Sequence, residues 1–174
     1  MSVAVMILAL VTLQRLSELV IARRNTAALL AQGAYEVGAE HYWLIVAVHA
    51  GWLAGLWWLA GIAGLMPNLG WLAAFFVLQL GRVWVLATLR RRWTTRIIVL
   101  PGAPLVTCGP FRYLSHPNYA VVAGEIAVLP MAFGLTTFAL VFTALNAAVL
   151  VIRIRAETAA LKASTVEPRD AVPV

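Results

Sequence analysis

The chain has 174 residues, 63% hydrophobic and 11% charged, with a formal net charge of +6. A soluble domain carries about a quarter charged residues, so the composition excludes a soluble globular fold and marks a single-domain, all-α integral membrane protein. The single cysteine, Cys108, excludes an internal disulfide and a multi-cysteine metal site, and the arginines gather at segment ends, where membrane topology rather than nucleic acid accounts for them.

Five membrane spans are expected in a domain covering residues 1–163, followed by a disordered tail, 164–174. The first span covers residues 2–22 and stops at Arg23-Arg24-Asn25. Its apolar start has no basic leader and runs into Arg15 and Glu18, which marks a retained helix rather than a cleaved signal. Residues 26–41 form a polar connector with Gly33, Glu36, Gly38, Glu40 and His41. The second span, 42–65, is rich in tryptophan and carries Gly51 and Gly55 at a spacing that lets helices approach closely. Pro67-Asn68 is a turn. The third span, 70–89, ends at Arg90-Arg91-Arg92.

Residues 93–108 read differently. Thr94 to Leu100 is short and β-branched, Pro101-Gly102 is a turn, and Leu105 to Thr107 is positioned to pair back. An extended or hairpin-like segment at the membrane surface is expected, since bare irregular backbone does not face lipid. The next stretch, Gly109 to Tyr119, is the densest polar and aromatic run in the chain. His116-Pro117 sets a helix boundary, because the residue before proline avoids helical backbone angles and proline suits a first turn. His116 is therefore expected where a loop enters a helix, near free amide donors. Residues 118–133 and 135–152 then form a helical hairpin about Pro130 and Gly134, and the last helix continues beyond Leu161.

Arginines follow spans one, three and five, and the connectors near Pro67 and Gly134 have none. The positive-inside rule places the N-terminus outside and the Gly109–Tyr119 stretch and C-terminus in the cytosol. In a bacterium this is the inner membrane.

Ionisable groups within spans are functional candidates. Arg15 and Glu18, three apart, suit a mutual pair, and Gln14, Glu18 and Asn25 share a helix face that fits a polar seam. Arg82 and Glu125 suit a second pair. Asn146, Arg153 and Glu157, at spacings of seven and four, share one face of the last helix, whereas Arg155 suits the interface, where long cations snorkel. His49 suits a buried bundle histidine. His41, His49 and His116 do not have metal-ligand spacing, and no dinucleotide fingerprint, P-loop or nucleophile elbow is present.

Gly109-Pro110-Phe111, His116-Pro117-x-Tyr119 and Arg153-x-Arg155-x-Glu157-x3-Leu161 together resemble the isoprenylcysteine carboxyl methyltransferase family, specifically over about residues 90–161. Gln14-Arg15-x2-Glu18, Gly33-Ala34-x-Glu36, His41-Tyr42 and Trp93-Thr94-Thr95-Arg96-Ile97-Ile98 look like its bacterial branch that O-methylates alkylresorcinols and alkylpyrones. The resemblance implies an S-adenosylmethionine-dependent O-methyltransferase acting on a lipophilic or prenylated acceptor in the lipid phase. It implies cofactor contacts from His116, Pro117 and Tyr119, from the stretch Leu100 to Gly109, and from Glu157. Arg153 and Glu157 become the catalytic pair, and Arg153, Asn146, Glu125, Glu18 and His41 the acceptor side. Ser115 stands where the family carries arginine, with Arg112 as the replacement, and Thr158 stands where a second glutamate is common. A base for a hydroxyl acceptor is left open among His41, His49 and Glu18. Phospholipid N-methylation shares the cofactor motifs. A non-catalytic transporter or lipid-binding protein also accommodates charges within helices.

Overall fold

A computed structural model describes residues 2–166, with side chains through Lys162. Five helices account for most of it: α1 (Val3–Leu30), α2 (Tyr42–Leu56), α3 (Leu69–Leu89), α4 (Pro117–Ala132) and α5 (Thr136–Val166). Two three-residue strands complete the frame, β1 (Tyr35–Val37) and β2 (Ile97–Val99).

Among the described residues, four helical stretches are long and apolar enough to cross a bilayer: Val3–Leu30, Ala39–Ile62, Leu69–Arg92 and Thr136–Lys162. α4 has 16 residues and is about 24 Å long, shorter than a hydrocarbon core of about 30 Å. It packs most heavily against α3 and α5, so protein surrounds much of it.

The first helix does not stop at Arg23-Arg24. Both side chains are exposed, arginine is a good helix former, and no breaker occurs until Gly33, whose φ of 88° suits a residue without Cβ. The second span departs from α-geometry: α2 continues as a π-helical turn over Trp57–Ile62, a widening that Trp57 and Gly61 share at close contact. Gly51 and Gly55 face Phe142 and Phe138 of α5, and a Cβ on Gly55 would lie 2.5 Å from the Phe138 ring. The expected close approach is therefore between α2 and α5. α5 remains helical to Val166, so the first three residues of the expected tail are helix; the rest lies outside the described residues.

The local hairpin does not form. β2 pairs antiparallel with β1 in the distant 26–41 connector, Tyr35 opposite Val99 and Val37 opposite Ile97. Pro104 has no amide to offer a ladder, and its carbonyl is taken by Arg92 Nη1 at 2.6 Å. Ile97 and Val99 instead bury their side chains under the ribbon.

This ribbon fixes the bundle's polarity. β1 lies between α1 and α2 and β2 between α3 and α4, so both connections sit at one end. At the other end the Asn68 amide donates to the Ala132 carbonyl at 2.7 Å, joining the α2–α3 and α4–α5 turns. The main apolar core lies toward that second end, where Leu8, Trp52, Leu56, Phe75, Ile126 and Leu129 meet. The Trp52 indole donates to the Ile126 carbonyl at 3.1 Å, bolting α2 to α4.

Candidate functional site

The ribbon end is built from loops held by specific contacts. Arg90 has φ 50° and begins a single 3-10 turn that carries the chain off α3. Asn25 of α1 clamps the departing loop, its amide donating to the carbonyls of Arg90 at 3.1 Å and Trp93 at 2.8 Å. Gly109 has φ 59° and lies so near α3 that a Cβ there would sit 2.5 Å from Thr88 Oγ1. Gly109–Arg112 then form a 3-10 turn, and His116 is the residue before α4, with Pro117 in its first turn. The loop-to-helix entry at His116 is as the sequence indicates.

The side chains that follow converge. His116 stacks on Tyr119, ring centroids 5.5 Å apart. Its Nδ1 lies 3.3 Å from Glu157 Oε2, a contact between opposite formal charges only when the imidazole is protonated. Tyr119 also faces Glu157 and Arg153 of α5. Arg153 is 5% exposed, while Arg155, turned off that face, is exposed. Arg153 Nη2 donates to the Thr95 carbonyl at 2.9 Å, and its guanidinium lies 5.9 Å from the Tyr42 ring. Tyr42 in turn shares a hydrogen bond with Thr95 Oγ1 at 3.1 Å. Arg96 covers the same ring at 4.5 Å and binds both oxygens of Glu36 at 2.8 and 2.9 Å. β1, β2 and their charged pair thus roof the ends of α2, α4 and α5.

Beneath the roof is a cavity of about 450 Å³, within the range of small-molecule sites. His116, Asn118, Tyr119, Arg153 and Glu157 form its polar wall. Leu16 and Leu19 of α1 and Ile45, Val46 and Leu53 of α2 form an apolar wall, and Arg15, Glu18, Arg82 and His49 also border it.

The charges bordering it belong to one network. Arg82 donates from Nε and Nη2 to the two oxygens of Glu18, both at 2.5 Å, and from Nη1 to Glu125 at 2.9 Å. Arg15 bridges Glu18 at 3.2 Å and Glu125 at 2.7 Å. Gln14 donates to Glu18 and to Gln79, and Gln79 donates to Glu125. Two cations and two carboxylates balance, and both carboxylates are saturated with donors. This is how Glu18 at 5% exposure and Glu125 at 1% are tolerated. The two expected pairs are therefore one cluster joining α1, α3 and α4.

Of the residues singled out from sequence, His116, Pro117, Tyr119, Glu18, Arg153 and Glu157 border the cavity. Leu100, Gly109 and Arg112 do not; the first two shape the loop and Arg112 is exposed. His41 packs over Gly38 and lies 3.4 Å from Glu40. Glu125 stands behind Arg15 and Arg82. Asn146 is fully buried with neither amide atom bonded among the described residues, and it is not on the cavity wall. Asn118 belongs to the polar run and Tyr42 and Thr95 to the motifs that carry the resemblance, but the sequence assigns none of the three a role in the site. Tyr42 and Thr95 carry no spacing signal, because a roof made of two distant loops has no periodicity.

Asn118 Oδ1 is a buried acceptor with no hydrogen bond among the described residues, and the buried Glu157 Oε2 meets His116 Nδ1 at 3.3 Å. An unmet buried acceptor costs roughly 1–3 kcal/mol. At a cavity wall, such atoms fit a ligand that brings an ammonium group and hydroxyls, as S-adenosylmethionine does.

Residues 71–163 match the model of the isoprenylcysteine carboxyl methyltransferase (ICMT) family. The chain is also similar to the uncharacterized protein YpbQ of Bacillus subtilis (strain 168), 36% identical over 170 residues, covering 93% of this chain and 98% of that protein. No solved structure matches the chain.

Proposed function

The chain belongs to the isoprenylcysteine carboxyl methyltransferase family, and from that premise we propose that it O-methylates a lipophilic acceptor, an alkylresorcinol- or alkylpyrone-like hydroxyl being the best fit. Membership makes it an S-adenosylmethionine-dependent methyltransferase working on a lipophilic substrate at the membrane. The observation that carries the finer reading is the two-sided cavity, polar on the α4–α5 wall and apolar on the α1–α2 wall.

When bound, S-adenosylmethionine supplies an electrophilic methyl group on a sulfonium. Glu157 and Asn118 would accept hydrogen bonds from its amino and hydroxyl groups, and the stacked pair His116–Tyr119 would form a flat wall against it. Arg153, held by Thr95 and facing Tyr42, presents a planar guanidinium to a carboxylate or developing oxyanion. The leucines and isoleucine of α1 and α2 take the acceptor's alkyl chain. Positioning the two reactants in line contributes most of the catalysis.

The test is mass spectrometry of lipids from cells with and without the protein. A lipid heavier by one methylene, present only with the active protein, supports the reading. Identical lipid profiles in cells that make alkylresorcinols would overturn it.

A further inference from the structure

A hydroxyl acceptor must lose a proton as its oxygen gains a methyl group, and three groups are chemically suited to take it. Glu18 is not available: Arg82, Arg15 and Gln14 supply it with donors on both oxygens, and a carboxylate so held is a weak base. His41 is not on the cavity wall; its ring is packed over the Gly38 backbone. His49 remains, and its geometry is specific.

His49 lies on α2, two turns below Tyr42, and borders the cavity. Its Nδ1 is 2.8 Å from the carbonyl of Ile45, one turn earlier. A carbonyl only accepts, so Nδ1 carries the hydrogen. In the neutral ring this leaves Nε2 as the proton acceptor, on the side of the ring turned away from the helix backbone. A second-site hydrogen bond that sets the tautomer is what a histidine base requires. Around it stand Ile45, Val46 and Leu53, the apolar wall assigned to the acceptor.

Resting on the reading of this cavity as a hydroxyl-methylating site, we propose that His49 is its general base, with Nε2 receiving the acceptor's proton. The acceptor's O–H bond breaks as its oxygen forms the bond to the methyl carbon. The proton passes to Nε2, and the electron pair of the breaking S–C bond stays on sulfur, which leaves as a neutral thioether. The imidazolium then returns its proton to water once the product has left. A carboxylate acceptor is already ionised and has no use for such a group, so the role is specific to a phenol or enol acceptor.

The experiment uses the purified full chain in lipid nanodiscs, labelled S-adenosylmethionine, a long-chain 5-alkylresorcinol, and N-acetyl-S-farnesylcysteine as carboxylate acceptor. Two variants are compared. His49→Asn retains a donor for the Ile45 carbonyl, and His49→Gln places an amide near the Nε2 position. Both lose the base. Transfer to the resorcinol is expected to fall roughly a hundredfold at about pH 7, with S-adenosylmethionine affinity and thermal stability unchanged. The deficit is expected to shrink to several-fold near pH ~10, where a phenol ionises unaided. The charged groups facing His49 are Arg15 of α1, Arg82 of α3 and Arg153 of α5. A deficit constant across pH, an equal deficit on the carboxylate acceptor, or undiminished resorcinol transfer would each overturn the assignment of His49 while leaving the methyltransferase reading intact. A native protein that binds S-adenosylmethionine but methylates only the carboxylate would overturn the hydroxyl class and His49 with it. A native protein inactive on both acceptors and unable to bind S-adenosylmethionine would remove the whole reading.

Discussion

Arg82 sits at 6% exposure inside a membrane-crossing helix, and three of its nitrogens donate to Glu18 and Glu125. Its removal would leave two carboxylates sharing one guanidinium, that of Arg15. Breaking a buried ion cluster by deleting one partner costs roughly 3–5 kcal/mol, so Arg82→Met should lower unfolding stability in mild detergent by that order; a change under about 1 kcal/mol would mean the cluster is hydrated. Arg153 and Glu157 are proposed to act on the reactants instead. Arg153→Met and Glu157→Gln should cut methyl transfer roughly a hundredfold, about 2.7 kcal/mol in the barrier, with stability intact. Arg155→Met, on an exposed position of the same helix, should retain near-native activity. Equal sensitivity of Arg153 and Arg155 would place the wrong face of α5 in the site. Helical spacing made the Arg153–Glu157 face legible in the sequence, as it did the Arg15–Glu18 pair. It did not reveal that Arg15 also binds Glu125, because spacing along one helix carries no information about which helices face each other.

At the scale of elements, the sequence marks five helices and their order, since long apolar runs and Gly/Pro breaks are local signals. It misplaces two boundaries whose cause is not local. α1 outruns Arg23-Arg24 because the helix projects beyond the apolar zone, with Asn25 docking the α3–α4 loop. β2 takes a partner some sixty residues away, fixed by the register Glu36 opposite Ile98. Register is testable by cross-linking. In a Cys108→Ser background, the pair Glu36→Cys and Ile98→Cys should form a disulfide under mild oxidant, whereas Ile98→Cys with Val106→Cys should not. A disulfide in the second pair alone would restore the local hairpin and leave Tyr42 without its roof. Because Arg96 bridges from the loop entering β2 to Glu36 of β1 and covers Tyr42, the ribbon couples the α1–α2 connector to the cavity mouth.

At the scale of the molecule, every proposed reacting group lies toward one end of a bundle whose opposite end is an apolar core. Arginines 23, 24, 90–92, 96, 112 and 155 belong to the same end. We propose that this end faces the cytosol, where positive connectors are retained and the polar cofactor is dissolved. In intact cells carrying the Cys108→Ser background, a membrane-impermeant thiol reagent should label Asn68→Cys and not Thr94→Cys; the reverse pattern would turn the site away from its cofactor. Methyl transfer from a water-soluble donor to a lipid-dissolved hydroxyl is the central claim. It is tested most directly by incubating the purified protein with methyl-labelled S-adenosylmethionine and an alkylresorcinol-containing lipid extract, then treating the labelled lipid with alkali. Label that enters the lipid fraction and survives alkali as a neutral methyl ether is the predicted result. Label released as methanol would identify a carboxyl ester, label retained in a cationic lipid would identify N-methylation, and either would contradict the account.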